Sequence, residues 1–307
     1  MKKIIFWFIF LVGIGGPVAG LFGQWHWLPD LASHFLPQET LLLILTTFLL
    51  LILKDYRKFI VSLLILIVCV GSIMPYCGIF RLKPEVSESL TIISSNVNTA
   101  NRDYGRVIEL VRKMDPDIVF FEEINREWDH QLRTHLADRY RLIQSVPRED
   151  NFGVALFSKI DLKDLNVRYV GPAEVPSYQA VIPLKNSEIV LWATHPVPPA
   201  RNSYWHMRNR QLSDLRDLIA KDTRPTIVVG DLNATPWCWW FRYFKAGRLR
   251  DSAIGFGIQN SWPTMWPWFM RIPIDHVLVS KELKIVDRKI LEDVGSDHYP
   301  VMVRVGV

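Results

Sequence analysis

The sequence predicts an α/β sandwich with a site at one sheet edge, set behind a separate apolar N-terminal region. Three observations carry this. Residues 1–79 hold three apolar runs with almost no charge inside them. From residue 90 onward, extended apolar segments interleave with segments of helical periodicity. Several of the extended segments finish on Asn, Glu, His or Asp, groups that a sheet presents to a ligand rather than stores in a core.

The apolar runs cover residues 4–21, 40–53 and 59–74. A helix that crosses a bilayer needs about 20 apolar residues, so the region predicts about three transmembrane helices. Lys2 and Lys3 precede the first run, and Lys54, Arg57 and Lys58 fill the link between the second and third. Residues 24–39 contain no Lys or Arg. Basic loops stay on the inner side. That places the N-terminus and 54–58 inside, with 24–39 and everything after about residue 79 outside. The chain is thus expected to be a multi-pass protein of the cell's inner or plasma membrane with an extracytoplasmic domain. A second reading makes the first run a cleaved signal peptide, because it ends in Gly15-Gly16-Pro17-Val18-Ala19-Gly20. The domain keeps its place either way. Residues 80–89 are read as a linker and 90–307 as the domain.

Charge excludes one class of partner. The chain carries a net +5, and five of its 36 Lys and Arg and three of its 31 Asp and Glu lie in the first 79 residues. The domain is therefore nearly balanced, which argues against affinity driven by bulk charge. Arg201, Arg208 and Arg210 could still make a local basic patch. The three cysteines, Cys69, Cys77 and Cys238, show neither a disulfide framework nor zinc-ligand spacing.

Within the domain, residues 90–95 read as a strand ending in Asn96-Val97-Asn98. Residues 104–114 place Val107, Leu110, Val111 and Met114 on one helical face, and Asp115-Pro116 ends that helix. A strand over 117–121 closes on Glu122-Glu123, and a helix follows around 128–136. Strands over 153–158 and 189–194 come next, the second ending on His195. A helix is expected over 208–220. The β-branched run Thr226-Ile227-Val228-Val229 is a buried strand that Gly230 breaks, with Asp231 and Asn233 beyond it. Residues 274–280 form another strand, and Ser296-Asp297-His298 precede the apolar alternation at 301–303.

Each strand-end group has a bland explanation alone, since Asn is a common turn former. Five such ends in one domain are harder to dismiss. Asp, Asn, Glu and His together suit metal-assisted attack of water on a phosphate ester.

These residues resemble the motifs of the endonuclease/exonuclease/phosphatase superfamily, whose members include deoxyribonuclease I, abasic-site endonucleases, inositol-polyphosphate 5-phosphatases and neutral sphingomyelinases. The resemblance covers about residues 90–307. It runs through Asn96-Val97-Asn98, Phe121-Glu122-Glu123, Thr194-His195, Gly230-Asp231-Leu232-Asn233, Ile274-Asp275-His276-Val277 and Ser296-Asp297-His298. It implies a four-layer αββα, deoxyribonuclease I-like sandwich behind the N-terminal transmembrane helices. It also implies Mg²⁺ or Mn²⁺ held mainly by Glu123, with Asn96 and Asp297 beside it. Asp231 would orient or deprotonate the attacking water. Asn233 and His195 would bond phosphate oxygens, and His298, oriented by Asp275, would stabilise the pentacoordinate phosphorus. Asn98 stands where several nucleases carry Asp, so it is read as substrate-binding rather than as a ligand of a second metal.

Two further features concern substrate. The stiff loop from Thr194 to Asn202, with Arg201, Arg208, Asn209 and Gln211, could form a phosphate-binding rim. Trp237, Trp239, Trp240, Trp262, Trp266 and Trp268 flank the motifs and could rest on lipid or stack on single-stranded bases. The expected partners are thus the bilayer and a phosphate-ester substrate, a nucleic acid or a phospholipid headgroup, with no obligate protein partner. The expected function is that of a membrane-anchored, Mg²⁺-dependent phosphoesterase with nuclease-like phosphodiester cleavage as the default; phospholipid or sphingomyelin diester cleavage, inositol-phosphate hydrolysis and an inactive binding domain are the alternatives.

Overall fold

The computed structural model describes residues 2–78, 84–185 and 187–307, with the backbone alone for residues 2–6 and 9. The N-terminal region folds as α1 (Lys2–Gly20), α2 (Trp27–Ser33), α3 (Leu36–Ile52) and α4 (Tyr56–Ile73). Asp55 caps α4 by accepting from the Lys58 amide. One helix, Tyr56–Tyr76, which extends α4 by a short 3₁₀ turn, is long and apolar enough to cross a membrane. The pair α2 and α3 would make a second span, but it is bent by 74°. Phe10–Gly20 is a shorter apolar helix. The expectation of about three spans therefore comes down to one or two by length and composition. The bend falls just before Pro37, which sits in the first turn of α3 and has no amide hydrogen to donate back into α2, so the helix restarts there. The side chains of Lys2 and Lys3, and residues 80–83 of the expected linker, lie outside the described residues.

The domain follows as β1 (Ser89–Asn96), α5 (Tyr104–Met114), β2 (Ile118–Glu122), α6 (Arg126–Leu136), β3 (Leu142–Val146) and β4 (Val154–Ser158). The second half holds β5 (Lys163–Tyr169), β6 (Pro176–Pro183), β7 (Glu188–Thr194), α7 (Asn202–Ala220) and β8 (Thr226–Asp231). It closes with α8 (Trp239–Lys245), β9 (Leu249–Asp251), β10 (Asp275–Ser280), β11 (Lys284–Ile290) and β12 (Val301–Gly306). The strands form two six-stranded sheets, ordered β11-β12-β1-β2-β4-β3 and β5-β6-β7-β8-β10-β9.

Period-2 alternation decides which side chains meet between the sheets. Ile92, Phe120 and Leu156 from one sheet face Tyr178, Leu191, Val229 and Val277 from the other. The alternate residues turn outward onto helices. Val119, Phe121 and Phe157 pack on Val107, Val111, Trp128 and Leu132 of α5 and α6. Trp192, Val228 and Leu278 pack on Leu212 and Leu215 of α7 and on Phe241 and Phe244 of α8. The result is four layers, helix, sheet, sheet, helix. Asn125 fixes the start of α6 by accepting from the Trp128 amide at 2.9 Å. All three cysteines are free.

Gly230 does not end its strand. The ladder of β8 with β10 continues through Gly230 and Asp231, opposite His276 and Asp275. Glycine is required there by close approach: at φ +142°, a Cβ would lie 2.0 Å from the Thr194 carbonyl oxygen of neighbouring β7. A glycine inside a strand marks such an approach more often than a break. Gly230→Ala should lower stability by about 2–4 kcal/mol, read as a fall in denaturation midpoint. An unchanged midpoint would show that the two strands can part without cost.

Candidate active site

The strand order brings the polar strand ends to one edge of the sandwich. β1 and β2 run parallel, so Asn96 sits beside Glu122, with Glu123 one residue beyond. β7 and β8 are also parallel and end on Thr194-His195 and Asp231. β10 runs the other way, and its first residue, Asp275, pairs with Asp231. β12 is antiparallel to β1, so the Ser296–His298 turn that precedes it arrives at the same edge. Glu123 and Asn233 adopt left-handed backbone, at φ 58° and 49°. Non-glycine residues rarely hold that conformation, and when they do it is often at a functional site.

Hydrogen bonds fix the side chains. His298 Nδ1 meets Asp275 Oδ2 at 2.9 Å, and His298 Nε2 lies 3.7 Å from Asp231 Oδ2. Asp231 Oδ1 accepts from the Asn233 amide at 2.8 Å, and Asn233 Nδ2 donates to the Pro196 carbonyl at 2.9 Å. Asn96 Nδ2 donates to Glu123 Oε1 at 3.0 Å. Asp297 is held from two sides, by Asn98 Nδ2 at 2.7 Å and by the Trp262 indole N–H at 3.1 Å. Asn98 therefore braces Asp297, and its own Oδ1 accepts from the Ala100 amide.

Burial sets the charges. Burial alone would lower the His298 pKa, but the Asp275 charge and hydrogen bond, then Asp231 and Asp297, outweigh it and raise the imidazole to about 10. His298 is thus a buried imidazolium at neutral pH. The reverse holds for His195: burial and the neighbouring His298 charge push its pKa down to about 3, so it stays neutral. Its Nε2 lies 3.6 Å from Asp231 Oδ2. Burial would raise Asp275, yet the His298 charge and hydrogen bond hold it below the usual carboxylate range. Burial and the Asp275 charge push Asp231 well above it. Glu123 is raised too, chiefly by burial, with the Asn96 hydrogen bond and His298 opposing.

Two groups of potential metal ligands, Asp30-His34-Cys238 and Asp231-Asp275-His298, have donor atoms within 4.8 Å of one another, and the second lies at the site. A protonated imidazole offers no lone pair, so that trio is an internal ion cluster rather than the better cation site. Glu123 fits a hard divalent ion better. It is a half-buried oxygen donor whose carboxylate accepts from Asn96 Nδ2.

Glu122 was not singled out by the sequence reading. It shares the inward face of β2 with Ile118 and Phe120, and strand parity alone would have placed it between the sheets. There it accepts from Ser94 Oγ at 2.7 Å and from the Asp231 amide at 2.9 Å, which ties β2 to β8. Burial, then the Asp275 and Asp231 charges, raises its pKa well above the carboxylate range.

Arg208 corrects an expectation. It is fully buried rather than on a rim, and Asn209 and Gln211 are buried with it. Its guanidinium bonds Asp30 of α2 and donates to the Asn233 carbonyl at 2.8 Å. Desolvation makes Arg useful here only as a paired structural cation. The same junction adds the Thr235 amide on His34 Nδ1 at 3.3 Å and the Trp237 indole on the His34 carbonyl at 3.0 Å. The N-terminal region thus packs directly behind the Asp231–Asn233 turn. Arg201 stays exposed, with its guanidinium 3.9 Å over the Tyr204 ring. The tryptophans divide: Trp237 is buried, Trp239 stacks on Tyr243, and Trp266 and Trp268 are exposed.

A family model described as "Endonuclease/Exonuclease/phosphatase family" matches residues 93–298. Among solved structures, an endonuclease/exonuclease/phosphatase from Beutenbergia cavernae aligns with a TM-score of 0.58 at 18% identity, over 71% of this chain and 72% of that one. D. rerio TDP2 complexed with single strand DNA product gives 0.60 at 16% identity, over 72% and 100%. An endonuclease/exonuclease/phosphatase from Bacteroides vulgatus gives 0.59 at 17%, over 71% and 99%. These structures share the fold. No curated protein matches the sequence.

Arg208→Met should destabilise the chain by about 3–5 kcal/mol, because it leaves Asp30 charged and buried without its partner. Denaturant titration in detergent would measure this, and a loss below about 1 kcal/mol would mean the pair is not what holds the junction. Asp275→Asn should cut kcat on a soluble phosphodiester about a hundredfold or more with KM little changed, since His298 loses the anion that keeps it charged and aimed.

Proposed function

The chain belongs to the endonuclease/exonuclease/phosphatase family, and on that premise we propose that it is a membrane-anchored, Mg²⁺-dependent hydrolase that cleaves phosphodiester bonds in nuclease-like fashion. The observation that carries the reading is the placement of buried His298 between Asp275 and Asp231 at the edge where the Glu123 carboxylate, bonded by Asn96, also stands. Glu123 would hold the metal, with Asn96 and Asp297 beside it. Mn²⁺ would suit the same donors. The ion would supply Lewis-acid neutralisation of charge on the phosphoryl group and leaving oxygen.

The chain's own groups do the rest. Asp231, whose pKa burial and the Asp275 charge raise, is the group placed to act as general base, and the Asn233 amide fixes the carboxylate's orientation. His298 presents a fixed positive charge toward the phosphoryl oxygens, where anionic charge builds. Neutral His195 and the Asn233 side chain are hydrogen-bonding groups for non-bridging oxygens. Asn98, which braces Asp297, and exposed Arg201 are the remaining candidates for substrate contact.

Nucleic acid is the first substrate reading, supported by the single strand DNA product bound to D. rerio TDP2. A phospholipid headgroup diester is the second, favoured by the membrane-length helix Tyr56–Tyr76. The proposed topology places residues 24–39 and the domain together outside the cytoplasm. The packing of α2 against Arg208 bears on the first half of this alone: residues 24–39 and the domain share one side.

The test uses the full chain in detergent or nanodiscs with DNA, RNA, sphingomyelin and inositol phosphates, each with Mg²⁺ or with EDTA. A diester should be cleaved with Mg²⁺ and left intact with EDTA. Glu123→Ala should lose about a thousandfold, the kinetic equivalent of several kcal/mol of charge stabilisation. Near-normal turnover by Glu123→Ala at saturating Mg²⁺ would remove Glu123 from the metal site, and inactivity on every ester with any divalent ion would favour a binding domain.

A further inference from the structure

The domain's exposed apolar side chains are unevenly placed. Among the described residues beyond 84, eight large apolar side chains are exposed, and six of them are Ile258, Met265, Trp266, Trp268, Phe269 and Met270. Trp268 is 76% exposed. The segment 258–270 contains no Asp, Glu, Lys or Arg. An exposed apolar patch of this kind marks a surface that meets a partner.

Its position says which partner. Trp268 and Phe269 line an apolar cavity of about 440 Å³ together with Leu41 at the start of α3 and Ile73, Met74 and Cys77 at the end of α4. Gln38 Nε2 donates to the Arg271 carbonyl at 3.0 Å, fastening the loop to the same place. The patch therefore stands beside the end of the helix that is long enough to cross a membrane. That is the level of the headgroups, where Trp is favoured. The other end of the loop is in the active site. Trp262 donates to Asp297 and lies 6.3 Å from the His298 ring, and Thr264 bonds the Asp297 and Ser296 carbonyls.

We propose that residues 258–270 form a lip that rests on the bilayer surface and holds the mouth of the active site against it. This rests on reading Tyr56–Tyr76 as a membrane span. The lip takes lipid because it stands beside the end of that span at Ile73, Met74 and Cys77, and the span exposes Ile60, Leu64, Ile67 and Val68 along its length. One consequence is that the site opens along the membrane, so a diester carried in or at the bilayer reaches it with little diffusion through water.

The test places a fluorophore at the lip. Trp268→Cys in a Cys77→Ser chain leaves Cys69 and Cys238, both buried, as the other thiols. The labelled full chain is reconstituted in phosphatidylcholine vesicles and quenched either by nitroxide-bearing lipid or by aqueous iodide. Leu218→Cys, exposed near the far end of α7, is the reference. The Trp268 probe should be quenched at least about twofold more by the lipid nitroxide than by iodide, and the Leu218 probe the reverse. Equal behaviour of the two probes would overturn the proposal. So would shielding from both quenchers that grows with protein concentration, the sign of a second copy, or shielding by added single-stranded DNA. Hydrolysis of bis-p-nitrophenyl phosphate by the same labelled chain reads the chemistry separately, so failure of the lip and failure of the hydrolase reading are distinguishable.

Discussion

Ionisable groups buried between the two sheets, at one edge, are the constraint on which the rest of the molecule depends. Glu122 comes from the first sheet and bonds the backbone of Asp231 in the second. His298 comes from the turn before β12 in the first sheet and is held by Asp275 and Asp231 of the second. Such charges tolerate burial only when each is paired or neutralised. The two sheets are thus held in one register at this edge by electrostatics as well as by packing. The apolar contacts between the sheets would permit several alignments, and the ion cluster selects among them. The same pairing splits the two histidines, one charged and one neutral, within a single site.

Most of that edge was legible in the sequence because each polar group directly adjoins an apolar strand. Asn96, Glu123, His195, Asp231 and Asp297-His298 could be read from local pattern, and parallel strands then had to bring their ends together. What the sequence hid is long-range or edge-bound. Glu122 looked like half of a generic acidic pair until strand parity put it between the sheets. Arg208 lies on a helix with a weak apolar stripe, and nothing local indicates that its partner lies 178 residues earlier. β5 is mostly exposed, so its polar sequence carries no alternation, and β3 is a half-buried edge strand for the same reason. The kink before Pro37 was readable in principle, but the leucine-rich run around it masked the break.

The N-terminal region is more than a tether. Its α2 supplies Asp30, His34 supplies an acceptor and a carbonyl, and all three contacts converge on residues 208–237. At the other side of the same junction, Tyr76 packs edge-on against Trp237 at 5.8 Å, and the Gly255 amide bonds the Pro75 carbonyl. The N-terminal helices and the geometry at Asn233 are therefore parts of one continuous structure.

The Arg208 guanidinium has a consequence for the life of the protein. Its counter-ion is built early in the chain, and the turn it supports is built late, with residues 79–83 between them in sequence. A cut in that stretch, followed by release of the domain, would carry Arg208 away from Asp30. The freed fragment would hold an Arg208 without its counter-ion, behind the turn that carries Asp231 and Asn233. Release would thus remove the N-terminal support of the site's second loop, and the domain would keep its strands but not that brace.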